Sequence, residues 1–331
     1  MRLLAAPDKF RGTLTAAEAA RAIAAGAATA GWSADELPLA DGGEGTLDAL
    51  GGGNRATAVT GPLGAPVEAA WRLADGVAVI EAARASGLAV AGGRERNDPV
   101  RATTRGTGEL VAAALAAGAT RVIVGVGGSA TTDGGLGAVE VLRDQAPFAV
   151  PVQVCCDVET RFVDAAAVFG PQKGATAAQV EELTARLREL AVRYRDELGV
   201  DVSALPRAGA AGGLAGGLAA LGAELAPGFE VIADAVGLDE AIGLADLVVT
   251  GEGFLDRTSF AGKVVGGVLR RAERQGVRAL VVAGAGEPGA LARVGGALSL
   301  VERFGRARAW ADAGGCLTEA VGEELSAPRS D

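Results

Sequence analysis

TGELVAAALAAGATRVIVGVGGSA, residues 107–130, is the stretch that decides the fold class. Thr107 is placed to cap a helix over ELVAAALAA, and Gly118 to end it, since glycine enters the left-handed conformation without steric cost. RVIVGV (121–126) is an unbroken apolar run rich in β-branched residues, the pattern of a strand covered on both faces of a parallel sheet. It empties into GGSATTDGGLG (127–137), a loop of Gly, Ser, Thr and Asp. A helix feeding a buried strand that opens into a polar loop is the repeating unit of parallel α/β sheets.

The same grammar extends in both directions. RLLAA (2–6) reads as a short buried strand. Thr15 and Glu18 then form a capping box for a helix reaching about Ala28. ELPLA (36–40) leads into the acidic glycine loop DGGEGT (41–46), and VAVIE (77–81) is a further strand with Gly87 in the turn that follows. Downstream, VQVCCDV (152–158) is a strand ending at an aspartate. Val180, Leu183, Leu187, Leu190, Tyr194 and Leu198 step by three or four along a helix over 178–199. Glu182–Arg186 and Glu189–Arg193 are expected as ion pairs on its outer face. Residues 208–222 read as a Gly/Ala loop and helix, ADLVVTGEG (245–253) and RALVVAGAG (278–286) as strands, and 262–275 as the helix between them. The last four residues, PRSD, are expected to fray. The length suits two domains. No Pro- or Ser-rich linker separates them, which favours one domain inserted into the other.

Composition removes whole classes of chemistry. The 331 residues include no histidine, so Ser-His, Cys-His and His-metal mechanisms are excluded, and proton transfer falls to a carboxylate, Lys, Tyr or Cys. A net charge of -10 without a Lys/Arg tract argues against a nucleic-acid partner. Cys155, Cys156 and Cys316 show neither a disulfide framework nor metal spacing. MRLLAAPDKF lacks the apolar core of a secretory signal, and no run has the length and apolarity of a membrane span. These features point to a soluble, cytoplasmic protein without a membrane partner. The 51 glycines are about 15% of the chain, roughly twice the ordinary share, and follow no collagen period.

Ligands in open α/β sheets bind at the carboxyl ends of the strands, which directs attention to the loops there. Gly125–Ala130 has the spacing of a dinucleotide fingerprint, but lacks the immediate helix and the acidic residue about 20 positions later. No Walker A motif is present. GGSATTDGG can converge backbone N–H groups and the Ser129, Thr131 and Thr132 hydroxyls on phosphate, with Asp133 as a Mg²⁺ ligand. It is equally readable as a tight strand-to-helix turn capped by Asp133. Asp41 and Glu44 suit a metal or a polyol, or simply water. Asp8 and Lys9 follow the first strand, where Lys9 or Arg11 can meet an anion. Asp157 ends a strand, as a functional carboxylate or as a cap.

These strings, taken in order, resemble the type I glycerate kinase family: APDKFRGTLTAAEAA (6–20), LADGGEGTLDAL (39–50), TTRGTGEL (103–110), GGSATTDGG (127–135), CDV (156–158), VFGPQKGAT (168–176), AGAAGGL (208–214), and TGEG with LD and GK (250–263). Each is modest alone; together they span nearly the whole chain. The resemblance implies transfer of phosphate from ATP, with Mg²⁺, to a hydroxyl of D-glycerate, typically giving 2-phosphoglycerate. It also implies two α/β domains with mainly parallel sheets. Residues 1–52 plus 230–331 would form a discontinuous Rossmann/flavodoxin-like domain and 53–229 an inserted one, with the active site in the interdomain cleft. A homodimer is compatible with it.

On that resemblance the catalytic residues are Asp157 as the favoured base with Asp133 second, Lys173 to offset developing charge, and Lys9. Asp8, Arg101, Thr104, Gly127, Gly128, Ser129, Thr131 and Gly134 are substrate or phosphate contacts, Lys9 or Arg101 meeting the glycerate carboxylate. Asp41 and Glu44 are the metal candidates. The chain departs from the family pattern at Phe254 for Arg, Thr258 for Gln and Arg105 for Tyr, and it is short between Val141 and Val152. Two alternatives therefore stay open: a kinase for a related small hydroxy acid, and a catalytically degenerate relative that binds ligand.

Overall fold

The strands run β1 (Arg2–Ala5), β2 (Ser33–Glu36), β3 (Arg55–Thr60), β4 (Pro66–Ala74), β5 (Val77–Glu81), β6 (Arg121–Gly125), β7 (Val152–Cys155), β8 (Glu224–Ala226), β9 (Leu247–Leu255), β10 (Arg278–Gly286) and β11 (Leu298–Ser299). This computed structural model describes residues 1–294 and 297–327, so the tail expected to fray lies outside the described residues. The chain forms two compact units. One comprises Met1–Asp41, Asp48–Leu50 and Ile232–Asp331; the other comprises Gly42–Leu47 and Gly51–Val231. The architecture is α/β with mainly parallel sheets, as the sequence pattern implies.

The first unit holds the sheet β11-β10-β9-β1-β2, parallel throughout. Helix Ala16–Thr29 begins at the expected capping box: the Thr15 hydroxyl accepts the Glu18 N–H, and the Glu18 carboxylate accepts the Thr15 N–H. It packs on helix Ala313–Ser326 at glycines, since a Cβ at Gly26 would lie 2.5 Å from the Thr318 carbonyl oxygen. Leu3, Ala5, Ile23, Val249, Val282, Leu317 and Val321 fill the core between these helices and the sheet.

The second unit holds the sheet β3-β4-β5-β6-β7-β8, antiparallel from β3 to β5 and parallel from β5 to β8. Helix Ala177–Leu198 buries Leu183, Leu187, Leu190 and Tyr194, the stripe read from the sequence. Thr176 and Gln179 cap its start.

Four expectations shift. Helix Arg105–Ala116 has Thr104 at its N-cap position, three residues before the expected cap Thr107; Thr107 is buried within the helix and its hydroxyl meets that of Ser86 at 2.9 Å. The strand expected at 36–40 lies earlier, at Ser33–Glu36. Leu37 and Leu39 nevertheless donate to the carbonyls of Ala5 and Pro7. The strand read as 152–158 ends at Cys155. Arg193 pairs with Glu197 at 2.9 Å, in place of the expected Glu189, whereas Glu182–Arg186 forms at 3.9 Å. No helix among the described residues is long and apolar enough to cross a membrane.

Candidate active site

In the first unit, parallel pairing continues past the end of β1. Ala6 N–H donates to the Val249 carbonyl at 2.8 Å and Asp8 N–H to that of Gly251 at 2.9 Å, which fixes Asp8 just past the carboxyl end of β1, beside the middle of β9. The Thr250 hydroxyl holds the Ala6 carbonyl at 2.8 Å from the other strand. The Asp8 carboxylate is buried and accepts the Lys9 N–H at 2.7 Å. Burial pushes its pKa up to about 7, with help from the charges of Asp41 and Glu252 and against the pull of Lys9. Glu252, on β9, is likewise raised, first by burial and then by Asp256 and Asp41, while Ser259 and Lys263 oppose the shift. Its buried Oε1 has no hydrogen-bond partner. Sequence reasoning passed over Glu252, although TGEG was quoted; an acidic residue inside an apolar strand was the available signal.

In the second unit, the loop after β6 is held from beneath. Asp133 is buried, and its carboxylate accepts the Thr104 N–H and hydroxyl, each at 2.8 Å, the Gly135 N–H at 3.1 Å and the Gly137 N–H at 3.3 Å. Burial raises its pKa, and those four donors oppose the rise. Lys173 is also buried; its ammonium donates to the Ser129 hydroxyl at 2.9 Å and the Thr131 carbonyl at 2.5 Å. Desolvation lowers its pKa to about 7, against the attraction of Asp133. Asn97 Nδ2 bridges the Ala130 and Lys173 carbonyls at 3.0 and 2.9 Å, and the Tyr194 hydroxyl donates to the Gly134 carbonyl at 3.0 Å.

The loop's surface is narrower than the sequence suggested. Ser129, Thr131 and Thr132 are buried, and the Thr131 hydroxyl turns to the Ala211 carbonyl at 3.4 Å. A Cβ at Gly127 would lie 2.8 Å from Gly43 Cα, and one at Gly134 would lie 2.8 Å from Leu190 Cδ1, so these glycines admit neighbouring chain. Gly128, exposed and at φ +69°, is the position that opens outward.

The remaining candidates are more peripheral. Asp157 was expected at a buried strand end; it is exposed, and its carboxylate accepts the Gly228 N–H at 2.8 Å, the cap geometry. Arg101 is exposed on a turn whose Asp98 carboxylate accepts its N–H at 3.2 Å. Glu44 is exposed in the glycine loop. That loop is anchored by Glu81, a buried residue at the end of β5 that the sequence reading did not single out. Its Oε1 accepts the Gly45 and Leu47 N–H groups, both at 2.9 Å, and its Oε2 accepts Arg84 Nε at 3.0 Å.

Among the described residues, no three Asp, Glu, His or Cys side chains converge as a metal cage. Mg²⁺ does not require one, because it is usually held by one or two carboxylates with phosphate oxygens and water completing the octahedron. Asp41, half-buried and close enough to raise the proton affinity of Asp8 and Glu252, fits that pattern, as does the orphaned oxygen of Glu252.

The glycerate kinase family model matches residues 3–147 and 141–323. The chain belongs to the glycerate kinase family. It is 40% identical over 323 residues to the glycerate kinase of Halalkalibacterium halodurans, covering 85% of each chain. To the glycerate 2-kinase of Escherichia coli K12 it is 40% identical over 325 residues, 86% of this chain and 85% of the relative. A solved Salmonella typhimurium LT2 structure, provisionally named glycerate kinase 2, superposes with a TM-score of 0.85 at 34% identity, covering 98% of this chain and 97% of that one.

This glycerate kinase family member is therefore a kinase enzyme acting on a small molecule. Its departures from the family pattern have definite places. Phe254 is exposed on β9; Thr258 donates both N–H and hydroxyl to Asp256 Oδ1 at 2.6 Å; and Arg105 pairs with Glu109 at 3.1 Å on the surface of its helix.

Proposed function

We propose that this kinase transfers the γ-phosphoryl group of ATP, with Mg²⁺, to a hydroxyl of D-glycerate, releasing ADP and 2-phosphoglycerate. The observation that carries this reading is Asp8: a buried carboxylate held just past the carboxyl end of β1 by the Gly251 carbonyl of β9, next to Lys9 and in the field of Asp41 and Glu252. Phosphoryl transfer asks the protein for positioning, charge neutralisation and an acceptor for the hydroxyl proton. Asp8 supplies the last as its Oδ takes the proton and the substrate oxygen forms the new P–O bond. Asp133 is less suited, since its oxygens already accept four hydrogen bonds. Asp157, exposed and bonded to Gly228, stands second as base.

Lys9, next to Asp8, is assigned to the glycerate carboxylate, and Arg101 is kept as a second cation for it. Asp41 is assigned to Mg²⁺, with Glu44 retained as a ligand candidate. Mg²⁺, when bound, neutralises charge on the phosphate oxygens. Gly128 is assigned to phosphate, with Gly127 and Ser129 flanking it in the loop, while Thr104, Thr131, Asp133, Gly134 and Lys173 keep that loop in shape. The reading places the enzyme in the cytoplasm, where ATP is made, and gives it no nucleic-acid or membrane partner.

A second reading, phosphorylation of a related small hydroxy acid, is favoured by the exposed hydrocarbon of Phe254 where the family pattern has Arg. Release of ADP from MgATP, dependent on D-glycerate, tests the first reading, and the same assay with other hydroxy acids tests the second.

A further inference from the structure

The chain has three Trp, one Tyr and eight Phe, all among the described residues, and only two of these rings are strongly exposed: Trp310 at 63% and Phe254 at 53%. Trp310 borders the loop that follows β1. A Cβ at Gly12 would lie 3.5 Å from Trp310 Cζ2 and 3.7 Å from Cη2, so the indole lies against the chain just after Arg11. A Cβ at Gly253 would lie 2.8 Å from the Arg11 nitrogen, so that face of β9 meets the loop, and Phe254, the next residue, turns to the other face with Glu252. The loop carries Asp8, Lys9 and the exposed Arg11.

Large aromatic side chains gain more from burial than most residues, and ten of the twelve rings here are buried or half-buried. A flat apolar surface left in water beside a cation-bearing loop matches a ligand with a flat ring at one end and an anionic group at the other. Every purine offers a π-face to stack, and its phosphates offer charge.

We propose that Trp310 is the stacking surface for the purine base of the donor nucleotide, with Arg11 meeting the phosphate chain. The proposal rests on the ATP-dependent reading given above. It adds a base-recognition subsite and one specificity residue.

The test uses the intrinsic fluorescence of the intact protein. Trp71 is buried and Trp32 half-buried, so quenching by iodide reports mainly on Trp310. ATP is expected to shield Trp310 from iodide, while inorganic tripolyphosphate, with the charge but no base, is not. Trp310→Ala is expected to raise the KM for ATP about 5- to 100-fold with kcat and melting temperature kept, and Trp310→Phe to restore most of the loss. Equal shielding by ATP and tripolyphosphate, or an unchanged KM in Trp310→Ala, overturns the proposal. So does shielding that follows protein concentration without nucleotide, which marks contact between copies. The quenching experiment needs no glycerate, so an enzyme that shields Trp310 with ATP yet releases no ADP upholds the subsite and rejects the proposed function.

Discussion

The ammonium of Lys173 donates to the hydroxyl of Ser129 across 2.9 Å in a setting closed to water. Its pKa falls to about 7 on folding, below the ordinary 10.5, so between those values the unfolded chain binds more protons than the folded one. Its contribution to stability is thus complete above 10.5 and is lost as the pH drops through 7. Lys173→Met abolishes this dependence. Urea melts at pH 7 and pH 9 are expected to show the parent gaining stability, relative to the variant, by at most one proton's worth of slope. Turnover by the variant falls because the Ser129–Thr131 loop loses its tether.

Asp8 has the opposite sign. Its folded pKa lies near 7, above its unfolded value of 3.8, so the stability it contributes is full below 3.8 and disappears as the pH rises through 7. Asp8→Asn stays neutral throughout. Its melting temperature is expected to climb relative to the parent between pH 4 and 7 while turnover drops about 10²- to 10⁴-fold. A variant that is inactive and less stable at pH 8 would mark Asp8 as structural.

Removing the Asp133 carboxylate strands four buried donors. Asp133→Ala is expected to cost about 3–5 kcal/mol in urea unfolding, because each buried donor left unsatisfied costs about 1–3 kcal/mol and partial repacking recovers some of it. Asp133→Asn keeps an acceptor and is expected to lose less. Activity per folded molecule separates this supporting role from direct catalysis.

Asp157→Asn distinguishes the two candidate bases. Asparagine caps as well as aspartate, so stability is expected to hold, and turnover to stay at least about tenfold above that of Asp8→Asn. Loss of turnover in Asp157→Asn with nucleotide binding intact would return the base to Asp157.

Much of this was legible in the sequence because the elements are locally determined. The Thr15–Glu18 box, the 183–194 stripe and the β10 run each carry their own signal. The β3–β4 hairpin was not legible: RATAVT and PVEAAWRLA are rich in Ala and Thr, and the contrast between faces is too low to show a period of two. Side-chain roles were harder. Asp133 and Asp157 both follow apolar runs, yet one is enclosed by Thr104 and two glycine amides and the other faces solvent, a difference set by residues about 30 and 70 positions away. Glu81 and Glu252 escaped notice for the same reason. Part of the glycine excess serves packing between chain segments. At Gly251 it is room for β10, since a Cβ there would lie 1.9 Å from the Val282 carbonyl oxygen.

The central claim is best tested by incubating the purified protein with MgATP and D-glycerate, following ADP release and identifying the product by ³¹P NMR. The account predicts ADP in step with 2-phosphoglycerate, and much slower turnover with tartronate, lactate or other small hydroxy acids. No ADP above the glycerate-free rate, or preferential phosphorylation of another hydroxy acid, would contradict it.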